Sequence, residues 1–250
     1  MRPFIRWFVC VLAAGLALQL FFVARIAAMA VIAPESTAFE RSEGWQIALN
    51  GRVNGGSGAW QQQWLPYDQI SDNLKRAVIA SEDADFLNHR GVEWDAIENA
   101  RQRNAKAEEL AARRAAKAIA GGKTAPEPKL RGGSTITQQL AKNLLLSGER
   151  TLLRKAQELM LATTLELLLS KRRILEIYLN NVEWGEGVFG AEAAAQRYFK
   201  KPAARLTASE AARLAVMLPS PKFFERRPGS AYVTNRAATI VARMASADVP

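Results

Sequence analysis

The sequence predicts a mainly α-helical protein in which one membrane-spanning helix precedes a helical domain. Three observations carry that expectation. Residues 7–24 contain no charged side chain, about the 18 or more apolar residues that a membrane span needs. Beyond residue 70, apolar residues recur at helical spacing, and two capping-box pairs, Thr135 with Gln138 and Thr207 with Glu210, mark helix starts. Strand signals in that region are scarce.

Element by element, the N-terminus comes first. Arg2 and Arg6 precede the apolar run, which by the positive-inside tendency keeps the N-terminus cytoplasmic and sends the rest of the chain across. Ala28-Met29-Ala30 resembles a signal-peptidase site, so a cleaved signal peptide is the competing reading. The length of the apolar core favours an uncleaved anchor, with Arg25 snorkelling to the outer headgroups. Residues 34–70 read as a juxtamembrane connector. Alternating apolar stretches around Asn50-Gly51 suggest a hairpin there, and Trp60 and Trp64 are candidates for the membrane interface.

From Ser71, which can cap a helix start, Leu74, Ala77, Val78 and Ser81 share one helical face that ends at Glu82. Residues 101–131 are rich in Ala, Lys, Arg and Glu and then pass through Gly121-Gly122 and Pro126-Glu-Pro128. They read as a solvated helix followed by a flexible loop, a basic surface insertion. Leu152 to Leu179 is leucine-rich at helical spacing. The helix opened by Thr207 is stopped by Pro219 and Pro221.

Composition narrows the function. A formal net charge of +10 suits an acidic partner: nucleic acid, anionic lipid or a pyrophosphate. No nucleic-acid module is recognisable, and no aromatic platform is interleaved with the basic residues. The single cysteine, Cys10, lies in the apolar run, which excludes a disulfide framework and a thiol nucleophile. The single histidine, His89, excludes histidine-rich zinc sites. Carboxylates and hydroxyls are left to carry acid–base chemistry.

The segment with most chemical content is GGSTITQQLAKN, residues 132–143. Paired glycines allow close backbone approach to a ligand, and the positive end of the helix that follows favours an anion. Lys142 and Asn143 add a charge and an amide on or near the same side. No Lys-Ser/Thr closes the glycines, so this is not a Walker A loop. Two further segments accompany it: SEDADFLNHRG at 81–91 and RKAQE at 154–158.

Together these segments resemble the bacterial peptidoglycan glycosyltransferases, which polymerise lipid II into glycan strands. The family's E-D-x-x-F-x-x-H-x-G block appears as Glu82, Asp83, Phe86, His89 and Gly91. Its G-G-S-T-x-T-Q-Q-x-x-K-N block spans Gly132 to Asn143, and R-K-x-x-E is Arg154, Lys155 and Glu158. A fourth block, K-x-x-I-L-E-x-Y-L-N, runs from Lys171 to Asn180, and EAARLAVMLPSP closes the likeness at 210–221.

The resemblance implies a lysozyme-like glycosyltransferase domain over 71–245, following an anchor over 1–33 and the connector over 34–70. It also sets 101–131 where such enzymes tend to have a mobile flap, although a surface insertion is the favoured reading. It makes Glu82 the catalytic base, with Glu158 as second carboxylate assisting departure of the donor lipid. Arg154 and Lys155 are then assigned to the pyrophosphate. Asp83, Phe86, His89, Ser134, Thr135, Gln138, Gln139, Lys142 and Asn143 complete the substrate subsites; for His89 a loop-holding role and for Phe86 packing are the plainer readings. No cofactor is required by the sequence. Glu158 is the one candidate to hold a divalent cation, Mg or Mn.

Implied partners are lipid II and the nascent strand, membrane lipids, and cell-wall synthesis proteins such as transpeptidases, with no nucleic acid. No S-x-x-K occurs, so the expected form is monofunctional and anchored in the bacterial inner membrane, its catalytic domain periplasmic. A lysozyme-like hydrolase is the chief rival. It too would use carboxylates, but it has no need of a cationic pyrophosphate pocket. A membrane-tethered scaffold that uses 101–131 to bind anionic lipid is the non-enzymatic alternative.

Overall fold

The computed structural model describes residues 2–54, 60–120, 133–146 and 151–250. It is mainly α, as the sequence predicts. Helix α1 (Arg2–Ala28) is apolar along Pro3–Ala28 and contains an 18-residue stretch of mean hydropathy 2.3 that is almost wholly uncovered by protein. Only its last turns are buried, through Phe22, Ile26 and Met29.

Helix α2 (Ala38–Asn54) replaces the hairpin expected around Asn50-Gly51. The reason is a third capping box. The Thr37 amide donates to Glu40 Oε2 at 2.7 Å, and the Glu40 amide donates to Thr37 Oγ1 at 2.9 Å. With both donors satisfied the helix starts firmly and runs on through the Asn-Gly pair. Trp60 and Trp64, the two tryptophans expected near the interface, pack on protein. Trp60 stacks on Phe189 with ring centroids 4.5 Å apart, and Trp64 lies under the Arg173 guanidinium.

Strand β1 (Gln61–Gln62) pairs parallel with β3 (Val188–Phe189), which pairs antiparallel with β2 (Glu183–Gly185), in the order β1-β3-β2. A 3-10 turn over Tyr67–Gln69 leads into α3 (Asp72–Glu82), whose N-cap is Ser71 as predicted. Helix α4 (Trp94–Ala120) covers the basic stretch. The Gly-Pro loop expected after it, 121–131, lies outside the described residues.

Helix α5 (Ile136–Leu145) is the central element. Ile136, Leu140, Ala141 and Leu144 are fully buried on it, the Ile and Leu side chains each worth ~1.5–3 kcal/mol of transfer free energy. It packs against α2, α6 (Leu152–Leu168) and α7 (Lys171–Asn181). The leucine-rich run is thus two helices. Leu169 is extended, and Ser170 caps the second by accepting from the Arg173 amide at 3.2 Å.

Helix α8 (Ala191–Phe199) follows the small sheet. Helix α9 (Ala208–Met217) opens with the predicted Thr207–Glu210 box and stops before Pro219. A single turn α10 (Pro221–Phe224) precedes α11 (Ala231–Met244). Helices α3, α9 and α11 form one packed group and α5, α6 and α7 another, and Glu82 and α5 meet between them.

Candidate active site

Glu82 is the last residue of α3, and the chain turns sharply just after it. Asp83 fixes that turn from inside. Its Oδ1 accepts from His89 Nε2 at 2.8 Å and its Oδ2 from the Ile136 amide, at the start of α5, at 2.9 Å. His89 Nδ1 accepts from the Gly91 amide at 3.1 Å, which places the ring proton on Nε2, facing Asp83. Thr135 Oγ1 donates to the Gly91 carbonyl at 2.7 Å. Lys171 donates to the His89 carbonyl at 2.7 Å and lies over the Phe86 ring. Gly91 has φ +85°, and a Cβ there would sit 3.0 Å from the Ala162 carbonyl oxygen, so only glycine fits. The first and fourth blocks are therefore clamped onto α5.

These contacts give several predicted site residues an internal role. Asp83, Phe86, His89, Thr135 and Gln138 are all buried. Thr135 and Gln138 form the expected capping box, the Gln138 amide donating to Thr135 Oγ1 and the Thr135 amide to Gln138 Oε1. Apart from Phe86, their polar atoms are used mainly within the fold. Asn180 and Asn181 likewise face inward. Asn180 grips the connector through the Leu65 amide and carbonyl at 2.8 and 2.9 Å.

Glu82 itself is only half-covered at its surface but sits deep. Its Oε2 accepts from Gln139 Nε2 at 2.9 Å, and Gln139 Oε1 accepts from the fully buried Tyr178 hydroxyl at 2.9 Å. Burial pushes the Glu82 carboxyl above the usual glutamate range. Hydrogen bonds from Gln139 and Ser81 and the charge of Arg236 oppose that rise, while Asp83 reinforces it.

The second carboxylate lies on the other side of the α5 start. Glu158 is buried on α6, with Arg154 Nη1 at 3.2 Å from its Oε2 and Lys155 Nζ in close contact with its Oε1. Lys155 also donates to Ser134 Oγ at 3.3 Å. Arg154 Nε is buried with no hydrogen-bond partner among the described residues. Next to this cation pair is a cleft of about 410 Å³ lined by Gly133, Ser134 and Lys155 and, from α4, Ile97, Ala100, Arg101, Asn104 and Glu108. Helix α4 thus forms one wall of this cleft. Gly133 makes that approach possible, because a Cβ there would lie 2.9 Å from the Ala96 carbonyl.

Glu158 does not suit a divalent cation. Both of its oxygens are occupied by cations, so a metal there would meet two positive charges. Asp83, His89 and Glu93 do place ligand-type atoms close together. Both His89 ring nitrogens, however, are already engaged with Asp83 and Gly91. No metal step follows from either group.

Comparison with known proteins meets this geometry directly. The family model described as Transglycosylase matches residues 50–245, most of the chain. The chain belongs to the transglycosylase family. Among similar proteins, a biosynthetic peptidoglycan transglycosylase of Burkholderia thailandensis is 52% identical over 237 residues, covering 95% of this chain and 84% of the relative. One from Ralstonia nicotianae is 51% identical over 245 residues, covering 96% and 95%. One from Paraburkholderia phytofirmans is 48% identical over 250 residues, covering 98% and 95%. The mainly α architecture fits the lysozyme-like domain that the resemblance implies.

In this transglycosylase, α5 joins the two halves of the candidate site. Ser134 meets Lys155, the partner of Glu158, at its start, and Gln139 meets Glu82 five residues on, ~8 Å along the axis. Lys142, three residues beyond Gln139, is exposed on the same side, and Asn143 is half-buried. Gly132 lies outside the described residues. Sequence reasoning missed Tyr178 as a partner of Gln139, Arg236 as a charge near Glu82, and Glu166, which binds both Thr137 and Lys171. For Tyr178 the signal was its place in the fourth block; the other two carried none.

Proposed function

We propose that this chain polymerises lipid II, using Glu82 as general base and the Arg154–Lys155 pair as the pyrophosphate site. The observation that carries the reading is the placement of both groups along one helix, α5, with a cleft beside the cations. The acceptor is the lipid II sugar and the donor is the growing strand. Ionised Glu82 takes the proton from the acceptor 4-hydroxyl as its oxygen attacks the donor's anomeric carbon. The bond from that carbon to the lipid diphosphate breaks on the opposite face, so a β-1,4 link forms with inversion and undecaprenyl pyrophosphate leaves.

Charge grows on the diphosphate as it departs. Arg154 offers a fork of donors, one of them the unpaired Nε, and Lys155 a point charge. Glu158 holds these two cations in place and balances their charge before substrate arrives. Lys142, on the Gln139 side of α5, adds a positive charge toward the substrate. A hydrolase would make no use of this cation pair, which favours transfer over hydrolysis. With α1 in the inner membrane and its arginine-flanked start cytoplasmic, the catalytic domain faces the periplasm.

The test is a lipid II polymerisation assay on the full chain in detergent or vesicles. Wild-type protein is expected to yield glycan strands, and Glu82→Gln to yield none at an unchanged melting temperature. Strand synthesis by Glu82→Gln at the wild-type rate would remove Glu82 from its role. Release of soluble fragments from isolated sacculi, with no strand growth, would make the protein a hydrolase.

A further inference from the structure

A second cationic site lies at the junction of the membrane helix and the rest of the chain. Arg25, in the last turn of α1, donates from Nη2 to the Ser36 carbonyl oxygen at 3.4 Å. Arg41, in the first turns of α2, donates from Nη1 to the same oxygen at 3.2 Å and to Ser36 Oγ at 3.1 Å. Two guanidiniums are thus gathered on one neutral acceptor. Neither has a carboxylate within 4.0 Å among the described residues, although Glu35 borders the site. Glu40 feels the charge of Arg41 without contacting it. Two like charges are brought together with no carboxylate in contact among the described residues, which favours an anion, and arginine forks suit phosphate oxygens.

The surroundings say which kind of anion. Both arginines line a cavity of about 300 Å³ together with Met29, Ile32, Glu35 and Ser36. The uncharged run 7–24 ends at Arg25, and 18 helical residues span ~27 Å, close to the hydrocarbon thickness of a bilayer. Arg25 therefore lies at headgroup depth. Val31 and Ile32, on the adjoining turn, are exposed, an apolar rim beside a charged hollow. On its inner side the end of α1 is fixed by buried Phe22, Ile26 and Met29 and by Arg173, which donates to the Met29 carbonyl at 2.7 Å. The cavity is thus held in a set position relative to the domain.

We propose that Arg25 and Arg41 bind the phosphate of one anionic membrane lipid, with its acyl chains against the bare face of α1. The bound headgroup neutralises the paired guanidiniums and ties the start of α2 to the membrane surface. The proposal depends on α1 lying in a bilayer and is independent of the catalytic reading.

The test uses the full chain purified from nanodiscs of phosphatidylcholine alone or with phosphatidylglycerol, with retained lipid counted by native mass spectrometry. Wild-type protein is expected to keep one phosphatidylglycerol in preference to phosphatidylcholine. The double variant Arg25→Gln, Arg41→Gln should keep it about thirtyfold less, each arginine near a membrane surface contributing ~1 kcal/mol. Arg41→Lys, which keeps the charge but loses the fork, should fall between them, and it reports even if the double variant unfolds. Equal retention by wild type and variants overturns the site. So does equal retention of the two lipids, or displacement of the lipid by millimolar inorganic phosphate. Because the readout is lipid mass, failure of lipid II polymerisation leaves this result untouched, and the reverse also holds.

Discussion

Gln139 reaches from the middle of α5 to donate from Nε2 to Glu82 Oε2 at 2.9 Å. Its amide can face that way because the Tyr178 hydroxyl occupies its other end, donating to Oε1 at 2.9 Å. Tyr178 stays a phenol, since burial and the nearby Glu82 and Asp83 charges push its ionisation well above the usual tyrosine value. The pair therefore presents a donor to Glu82 and favours its ionised form, the form a general base needs, against the burial that favours the neutral one.

A pH–rate consequence follows from that balance. A base with a raised pKa loses activity as pH falls through that pKa, so the acidic limb of kcat/KM should lie above the ordinary glutamate value. Gln139→Leu removes a hydrogen bond that favours the carboxylate, so the limb should move further alkaline by on the order of half to one unit. Tyr178→Phe should move it the same way by less. A lower rate with an unmoved limb would reduce both residues to packing.

Asp83 and Glu82 are adjacent carboxylates with different tasks, and two substitutions separate them. Asp83 joins His89 to the start of α5, and removing it leaves the Ile136 amide and the His89 ring without their acceptor. Asp83→Ala should therefore cost ~1–3 kcal/mol of stability along with activity. Glu82→Gln should cost activity alone. Paired thermal melts and polymerisation assays check the contrast.

Gly133 sets how closely α4 approaches the Ser134–Lys155 corner. A methyl at that position meets the Ala96 carbonyl oxygen at 2.9 Å and Ala100 Cβ at 3.1 Å, so α4 must shift outward. Such overpacking typically costs ~1–3 kcal/mol. Gly133→Ala should raise KM for lipid II more than it lowers kcat, because the cleft wall moves while Glu82 and Gln139 do not. An unchanged KM would separate α4 from substrate binding.

Helix starts are legible in the local sequence, whereas long-range pairings are not. Ser71, Thr135 and Thr207 each mark a helix start, because a cap is decided by residues two or three apart. The same box at Thr37 and Glu40 is less conspicuous than Asn50-Gly51, so local signals predict a hairpin in the connector where a capped helix forms. Ser170 was hidden within a leucine-rich run whose periodicity barely changes across it. The candidate site shows the same division. The motif residues were legible as types and spacings. Which of them face inward depends on pairs such as Asp83 with Ile136 or Tyr178 with Gln139, and no local period encodes those.

Glu183, outside the candidate site residues, supplies a stability test. It is buried on β2, where desolvation raises its pKa to about 7 against the lowering effect of Lys222, and Glu43 and Glu225 add to the rise. Lys222 lies 3.7 Å from its Oε1 but contacts Glu43 more closely, so Glu183 is poorly compensated when ionised. A carboxyl with a raised folded-state pKa binds more protons folded than unfolded between the two values. Its favourable contribution is complete below the unfolded value of 4.5 and is lost as pH rises through about 7. Glu183→Gln mimics the protonated form and escapes that loss. Its melting temperature should match wild type near about pH 4 and exceed it near about pH 8. A variant that melts lower than wild type at the higher pH would mean that the Lys222 ion pair outweighs the burial of the charge.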